Sequence, residues 1–246
     1  MPMEVLVVIP TYNEANNIRP LSEALLGLEL DLGILFVDDN SPDGTGRIAD
    51  SLARENSRIH VLHRPGKQGL GTAYREGFAY ALANFDAPLM AQMDADFSHP
   101  PEALPALVAS ARKGAVGIGS RYVRGGGVKN WGLGRRFLSK GANIYVSTVL
   151  GLPVRDLTGA YKCWPRQVLE RLQLASIGAQ GFAALPEMAF RAHRLGFRHE
   201  ESPIIFEDRR VGQSKLSGSI AVEAFLNVWR VRFNKSFDPS EAPSAK

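Results

Sequence analysis

The sequence contains a single cysteine, Cys163, among its 246 residues. One cysteine excludes a disulfide framework and a cysteine-rich zinc site. Charged residues make up 22% of the chain, which is normal for a globular protein and too little for a disordered one. A chain of this length buries about 70–75% of its unfolded surface, so its core needs no disulfide bonds. We therefore expect one globular domain or two closely joined halves.

Long apolar runs are also missing. A bilayer span needs roughly 20 apolar residues, whereas the best candidate, Ile144 to Val154, is short and contains Ser147, Thr148 and Pro153. The N-terminal segment has an acidic residue and no basic region, so a signal peptide is not expected there. We expect a soluble or peripheral protein. The net charge of +4 is compatible with an anionic partner, which could be a phosphate ligand, an anionic lipid or nucleic acid.

Several signature motifs of other enzyme classes are absent from the sequence. It has no GxxxxGK[ST] phosphate-binding loop, no HExxH zinc motif and no GxSxG nucleophile motif. Gly69 and Gly71 open a predicted helix, but the third glycine of a dinucleotide fingerprint is missing and the strand before them is the third, not the first. We interpret the five scattered histidines as surface or packing residues, with the exception of His99, which lies close to Asp96.

The sequence instead shows a regular alternation of strand and helix patterns. Short β-branched runs predict strands at Val5–Pro10, Ile34–Val37, Arg58–His63, Leu89–Met93, Ala115–Gly119 and Pro203–Phe206. Apolar periodicity predicts helices at 21–28, Ile48–Arg54, Thr72–Phe85, Glu102–Arg112, Phe137–Leu150, Val168–Leu172, Leu185–Leu195 and Ile220–Phe233. This alternation predicts an α/β fold with a mostly parallel central sheet flanked by helices.

Acidic side chains directly follow two of the predicted strands: Asp38 and Asp39 follow one, and Asp94 and Asp96 the other. Because open parallel sheets bind ligands beyond the carboxyl ends of their strands, these carboxylates should line one crevice. A divalent cation would offset their repulsion, and an Asp-x-Asp pair suits Mg²⁺ or Mn²⁺ shared with substrate phosphates. Either pair alone could be solvated turn residues, but two pairs at two strand ends favour a site.

Basic residues from several segments complement these acids. Arg121 follows a predicted strand and should point into the same crevice. The others lie on a glycine-rich connector, the helix after it and a late loop: Arg135, Arg136, Lys140, Arg209, Arg210 and Lys215. Arginines opposite a metal site are typical of phosphate binding, because one guanidinium group can donate two hydrogen bonds to two phosphate oxygens. Arg136 or Arg210 alone would be interpreted as solvated.

A series of short motifs resembles those of the inverting family-2 glycosyltransferases. They are, in chain order, VIPTYNE at 8–14, VDDNSPDGT at 37–45, GLGTAY at 69–74, MDAD at 93–96 and GSRY at 119–122. Together with DLTGAY at 156–161 and the loop at 206–215, their order and spacing most resemble the dolichol- or polyprenol-phosphate mannose synthase branch. The resemblance covers residues 5–233 and implies the A-type nucleotide-sugar glycosyltransferase fold.

The resemblance implies a single domain, residues 1–235, followed by a frayed tail at 236–246. Residues 1–120 would bind the nucleotide sugar. Residues 121–235 would bind the acceptor and end in a C-terminal amphipathic helix.

For the donor, the resemblance implies contacts at the ends of the first two strands. Pro10, Tyr12 and Glu14 would border the nucleotide, and Val37 and Asp39 would contact its base or ribose.

The resemblance also implies a metal site beside the donor diphosphate. Asp94 and Asp96 would hold Mg²⁺ or Mn²⁺, with the Ala95 backbone alongside, while Arg209 and Lys215 would close a mobile loop over the donor phosphates.

For the acceptor phosphate, the implied ligands are Arg121 and Arg135, with Ser139 near them. The implied catalytic residues are Asp96, Arg121, Arg209 and Lys215. The sequence departs from many relatives at Ser98, where they carry Gln, and at 185–187, where Leu-Pro-Glu replaces Gln-Met-Glu or Gln-Ile-Glu.

The implied reaction is transfer of a mannosyl group from GDP-mannose to a polyprenyl phosphate with inversion. The implied partners are the nucleotide sugar, the lipid acceptor and a membrane-anchoring protein, with no nucleic acid. The protein would lie on the cytoplasmic face of a membrane, with Phe137–Leu150 and Ile220–Phe233 as candidate contacts. Packing of Ile220–Phe233 on the protein's own core is an equally good interpretation.

Other functions stay open at this point. One alternative is a family-2 transferase with another donor sugar or acceptor, such as a polyprenyl-phosphate glucosyltransferase or an enzyme that extends a saccharide chain. A hydroxyl acceptor would need a base, for which Glu187 is the candidate. A nucleotidyltransferase is disfavoured, because residues 11–17 do not supply a glycine-rich basic loop after the first strand. A non-catalytic nucleotide-sugar-binding protein is the third alternative.

Overall fold

The computed structural model describes residues 3–178, 181–207, 227–234 and 237–241. Its strands are β1 (Val5–Thr11), β2 (Leu32–Asp38), β3 (Ile59–His63), β4 (Leu89–Gln92), β5 (Val116–Ser120), β6 (Gly127–Lys129), β7 (Lys162–Pro165), β8 (His199–Pro203) and β9 (Ile205–Glu207). Its helices are α1 (Ile18–Leu26), α2 (Thr45–Glu55), α3 (Leu70–Asn84), α4 (Leu104–Arg112), α5 (Leu133–Leu150), α6 (Arg166–Arg171) and α7 (Ala184–Arg194), and residues 227–233 are also helical. Short 3₁₀ turns lie at Pro101–Ala103, Leu174–Ser176, Gly181–Ala183 and Pro239–Glu241.

The main sheet has the strand order β3-β2-β1-β4-β7-β5-β8. All its neighbouring pairs are parallel except those of β7, which runs antiparallel to both β4 and β5. The strands β6 and β9 form a separate parallel pair. The predicted mostly parallel α/β fold is therefore confirmed, with one reversed strand near its centre.

Both faces of the sheet are covered by helices. On β1, Leu6 and Val8 pack into a core with the α3 residue Phe78, whereas Val7 and Ile9 pack into a second core with α1 and α4. Burial on both faces explains why β1 and β2 are continuous apolar runs rather than alternating ones.

Several predicted element boundaries were wrong. The predicted strand Pro203–Phe206 is interrupted: β8 ends at Pro203 and β9 begins at Ile205. The helix predicted to begin at Phe137 begins at Leu133, and the first residues of the predicted helix Glu102–Arg112 form a 3₁₀ turn. Of the predicted helix Ile220–Phe233, residues 220–226 lie outside the described part of the chain.

Three strands were not predicted from the sequence, because β6 has only three residues, β7 begins with a lysine and β8 is mostly polar. The β7 sequence KCWP begins with a lysine that is fully buried, and β8 reads HEESP. Lys162 is tolerated in the sheet because its ammonium group donates to the carbonyl oxygens of Leu157 and Gly159. Burial lowers the pKa of Lys162 to about 8.

Within the described residues, no helix combines the length and the apolar character that a bilayer crossing requires.

Packing of α4 on the sheet depends on a glycine in β5. A Cβ atom at Gly117 would lie 2.4 Å from the backbone oxygen of Leu107. We expect Gly117→Ala to lower the free energy of unfolding by about 1–3 kcal/mol, because such overpacking displaces the backbone. The control is Gly141→Ala in α5, where a Cβ meets no atom within 4 Å and alanine favours the helix by up to about 1 kcal/mol. Thermal unfolding checks both: equal effects of the two substitutions would contradict the prediction.

Candidate functional site

The candidate site lies at the sheet edge where β1 to β5 have their carboxyl ends. Because β7 is antiparallel, its amino end and the loop before it, residues 156–161, lie at this same edge. The topology thereby places the two acidic pairs, Asp38-Asp39 and Asp94–Asp96, on the same rim as Arg121.

At the end of β2, Asp38 has a structural role. Its buried carboxylate accepts hydrogen bonds from the Thr11 hydroxyl (3.1 Å), the Ser41 hydroxyl (2.6 Å) and the Ser41 backbone N–H (3.1 Å). These bonds join the turn after β2 to the end of β1.

The neighbouring Asp39 forms a buried ion pair with Arg64, which follows β3. Arg64 also binds Glu76 of α3, with 2.8 Å between Nε and Oε2. Burial raises the pKa of the Asp39 carboxyl above its usual value, although the Arg64 guanidinium opposes the shift. Arg64 thus fixes Asp39 at the rim. The role of Arg64 was not predicted, because a local sequence pattern does not indicate which residues 25 positions apart form an ion pair.

The other predicted donor residues surround this point. Tyr12 is partly exposed, with the Lys67 ammonium group 4.2 Å from its ring centroid, and Glu14 donates its backbone N–H to the Thr45 hydroxyl at 2.9 Å. Pro10 is half-buried, and Val37 is fully buried in the sheet. Their nucleotide contacts stay predictions.

At the end of β4, the Asp94-Ala95-Asp96 segment is held by hydrogen bonds. Asp94 Oδ1 accepts from the Tyr74 hydroxyl at 3.0 Å, and the Asp94 backbone N–H donates to His99 Nδ1 at 2.9 Å. Burial lowers the pKa of His99, so the ring is neutral and Nδ1 can accept. Asp96 Oδ1 accepts from both the backbone N–H and the hydroxyl of Ser98, at 3.1 and 2.6 Å.

These carboxylates suit a hard divalent cation. Mg²⁺ and Mn²⁺ prefer oxygen ligands, and they commonly combine one or two carboxylates with water and substrate phosphates. Among the described residues, no group of three or more His, Cys, Asp or Glu side chains could hold a metal by itself. A two-carboxylate set fits an ion completed by a diphosphate. Ser98, in the position of the relatives' Gln, is bound to Asp96.

At the end of β5, Arg121 is buried against Asp156. Its Nε and Nη2 atoms donate to the two carboxylate oxygens at 2.7 and 2.6 Å, and its backbone N–H donates to Asp156 Oδ2 at 2.9 Å. Burial opposes the ionisation of Asp156, but the hydrogen bonds and charge of Arg121 outweigh it, so the pKa of Asp156 is lowered. The pair therefore stays charged across the physiological pH range.

Aromatic rings surround this guanidinium group. The rings of Tyr122, Trp131 and Phe206 lie 5.2–5.7 Å from its carbon atom. The Arg135 guanidinium lies 4.2 Å from the Trp131 centroid.

The third predicted acceptor residue, Ser139, accepts a hydrogen bond from the Tyr122 hydroxyl at 2.7 Å. The structure thus brings Arg121, Arg135 and Ser139 together around Tyr122 and Trp131.

A chain of ring contacts links the Asp94 segment to Arg121. His99, which binds the Asp94 backbone, has its ring centroid 5.8 Å from that of Phe206, and Phe206 in turn faces Arg121. Burial opposes the charged form of Arg121, but the hydrogen bonds and charge of Asp156 outweigh it and raise the pKa of Arg121, and the negative charge of Asp94 makes a smaller contribution in the same direction. Arg209, Arg210 and Lys215, the remaining predicted basic residues, lie outside the described residues.

Glu187, the candidate base for a hydroxyl acceptor, is buried in an ion pair. Its Oε1 atom accepts from Arg191 Nη2 at 2.6 Å and from Arg191 Nε at 3.1 Å. Arg191 also donates to the backbone oxygens of Leu172 and Ser176. This arrangement ties α7 to the segment after α6, which gives Glu187 a structural function.

Two surface cavities lie away from this rim. One of about 770 Å³ is lined by residues that include Leu150, Phe190 and Phe237, and one of about 580 Å³ by residues that include Arg19 and Arg47. Neither contains the strand-end carboxylates, so the chemistry of the side chains, and not concavity, identifies the site.

Two relatives of known name match most of the chain in sequence. The chain is 43% identical over 231 residues to a polyprenol monophosphomannose synthase of Mycolicibacterium smegmatis, covering 92% of this chain and 87% of the relative. It is 42% identical over 229 residues to an undecaprenyl-phosphate mannosyltransferase of Micrococcus luteus, covering 93% of each.

Solved structures share the fold at low sequence identity. Glucosyl-3-phosphoglycerate synthase from Mycobacterium tuberculosis, in complex with Mn²⁺, UDP-glucose and phosphoglyceric acid, superposes with a TM-score of 0.67 at 17% identity, covering 94% of this chain and 79% of that one. A mannosyltransferase from Pyrobaculum calidifontis, in complex with GDP-mannose and Mn²⁺, gives a TM-score of 0.59 at 19% identity, covering 87% and 59%. These neighbours confirm the predicted A-type glycosyltransferase fold.

The family model described as Glycosyl transferase family 2 matches residues 6–173, well over half of the chain. With two relatives above 40% identity along most of their length, the match shows that this chain belongs to glycosyl transferase family 2.

Proposed function

We propose that the protein transfers a mannosyl group from GDP-mannose to a polyprenyl phosphate with inversion, giving polyprenyl phosphate β-mannose. The observation that carries the proposal is a chain of contacts through the rings of Trp131, Phe206 and His99, which links Arg121 and Arg135 to the backbone of Asp94. A pair of guanidinium groups matches a phosphate acceptor, and the carboxylates match a donor diphosphate with its cation. The names of the two relatives support the mannosyl group and the lipid acceptor.

A phosphate acceptor is consistent with the ion pair between Glu187 and Arg191, which leaves the Glu187 carboxylate unsuited to act as a base. A lipid phosphate is already an anionic nucleophile, so no side chain needs to remove a proton from it. Arg121 and Arg135 would orient this anion and offset its repulsion from the donor diphosphate. Direct displacement at the sugar carbon then inverts its configuration.

The donor would lie along the ends of β1, β2 and β4. Tyr12 and Asp39 would border the nucleotide, and Asp94 and Asp96 would hold Mg²⁺ or Mn²⁺, which when bound neutralises charge on the leaving diphosphate. We also propose that Arg209 and Lys215 contact the donor phosphates.

A donor and acceptor panel tests the proposal. The purified protein is incubated with Mg²⁺, a polyprenyl phosphate and radiolabelled GDP- or UDP-sugars, and lipid-linked label is extracted into organic solvent. We expect label from GDP-mannose, and none when the polyprenyl phosphate is replaced by the free polyprenol. Preferred labelling from another sugar nucleotide would overturn the donor, and transfer to the alcohol would overturn the acceptor.

Access to a lipid acceptor requires contact with a membrane, and α5 presents the surface for it. Leu133, Phe137 and Leu138 are 68–74% exposed, among the basic residues Arg136 and Lys140. Apolar side chains surrounded by basic residues are typical of helices that bind the interface of a bilayer containing anionic lipids. We propose that the protein lies on the cytoplasmic face of a membrane through this helix; the membrane-anchoring protein partner stays a prediction.

We expect the double variant Phe137→Ser/Leu138→Ser to lose most of its binding to anionic vesicles, because about half of the exposed apolar surface of α5 is removed. Flotation with vesicles that contain phosphatidylglycerol measures the bound fraction. Ala83→Ser, on the exposed side of α3, is the control and should bind as the unmodified protein does. Equal flotation of the double variant would exclude α5 as the membrane contact.

A further inference from the structure

The Arg121 guanidinium is held in one orientation by three of its N–H groups. Nε and Nη2 bind Asp156, and Nη2 also donates to the Thr158 hydroxyl at 3.0 Å. The Nη1 amino group makes no hydrogen bond to any described residue. The edge formed by Nε and Nη2 is therefore fixed by protein, and the Nη1 amino group with its two N–H bonds is left for a ligand.

The loop that fixes Arg121 is itself bound to α5 by one buried side chain. Asn143 Oδ1 accepts the backbone N–H groups of Leu157 and Thr158 at 2.9 and 3.1 Å. Asn143 Nδ2 donates to the Thr158 hydroxyl at 2.9 Å and to the Ser139 backbone oxygen at 3.0 Å. The Thr158 hydroxyl thus lies between the amide of Asn143 and the guanidinium of Arg121.

Asn143 lies on the same face of α5 as two of the proposed acceptor-phosphate ligands. Arg135, Ser139 and Asn143 are separated by four residues each, so they lie along one face of the helix. The face that carries two of the proposed acceptor-phosphate ligands is therefore the face that binds the Arg121 loop.

We infer that Asn143 and Thr158 are positioning residues that join Arg121 to α5, so that Arg121 and Arg135 meet the acceptor phosphate as one preformed site. This inference rests on the proposed function. Without the Thr158 hydroxyl, Arg121 keeps its charge and its ion pair with Asp156, but its Nη1 amino group is no longer fixed relative to Arg135. The effect falls on the acceptor and not on the donor, which lies at the ends of β1, β2 and β4.

Thr158→Val tests the inference, because valine keeps the shape of threonine and removes the hydroxyl. We expect the KM for polyprenyl phosphate to rise roughly 10-fold, as for loss of a hydrogen bond to a charged group, with the KM for GDP-mannose unchanged. Thr158→Ser, which keeps the hydroxyl, should restore the acceptor KM. Thr148→Val on α5 is the matched control, because the Thr148 hydroxyl binds only the Ile144 backbone oxygen within the described residues.

The outcomes separate the inference from the function on which it rests. An unmodified protein that transfers no mannose to any polyprenyl phosphate overturns the proposed function. An active protein whose Thr158→Val variant keeps the acceptor KM, or raises both KM values equally, overturns the positioning role. Calorimetric titration with farnesyl phosphate repeats the comparison without turnover, and Thr158→Ala replaces the valine variant if that variant does not fold.

Discussion

The Asp96→Asn variant should lose on the order of a thousandfold in mannosyl transfer while it unfolds at the same temperature as the unmodified protein. An amide is a much poorer ligand than a carboxylate for Mg²⁺ or Mn²⁺, and the stabilisation such an ion gives a leaving diphosphate amounts to several kcal/mol. The fold should survive, because the asparagine Oδ1 atom can still accept the two hydrogen bonds from Ser98.

Transfer assays and Mn²⁺ titration in the presence of GDP check this expectation together. Asp86→Asn, at an exposed position between α3 and β4, is the matched control and should behave as the unmodified protein does. Full turnover of Asp96→Asn, or undiminished Mn²⁺ affinity, would remove Asp96 from the metal site.

The edge on which this site is built could be predicted from the sequence. Apolar runs that end in Asp38-Asp39 and Asp94-Ala95-Asp96 indicate both the strands and the rim, because a parallel sheet gathers its carboxyl ends. The prediction succeeded where burial on both faces makes a strand continuously apolar, as in β1 and β2.

The reversed strand β7 could not be predicted from the same signal. It is short, it begins with Lys162, and its stability depends on carbonyl oxygens of the preceding loop. Its direction matters for the site, because an antiparallel strand brings the Asp156 loop to the same edge as Arg121.

The ion pairs at the rim could not be predicted from the sequence either. Arg121 and Asp156 are 35 residues apart, and Arg64 and Asp39 are 25 apart. Periodicity reports which side of an element faces the core, but it carries no information on which charged side chains meet between elements. The sequence therefore predicted Arg121 in the crevice without the partner that orients it.

The position of Arg121 leads to the second large expected effect. Arg121→Lys should lower kcat/KM for polyprenyl phosphate about 100- to 1000-fold, with the KM for GDP-mannose unchanged. A lysine keeps the positive charge opposite Asp156, so the buried carboxylate stays paired and the protein stays folded. An ammonium group is a point charge, however, and it cannot bind both oxygens of Asp156 side by side while it holds a further amino group in a fixed position for the phosphate.

Steady-state kinetics with each substrate varied in turn measure this effect, and thermal unfolding verifies the fold. Arg124→Lys, at an exposed position on the connector after β5, is the matched control and should leave both parameters unchanged. If Arg121→Lys kept its full acceptor kcat/KM, charge alone would be sufficient at this position, and the planar fork fixed by Asp156 and Thr158 would not be what recognises the phosphate. A rise in both KM values would instead assign Arg121 to the structure of the whole rim, because a ligand of the acceptor alone cannot change donor binding in this way.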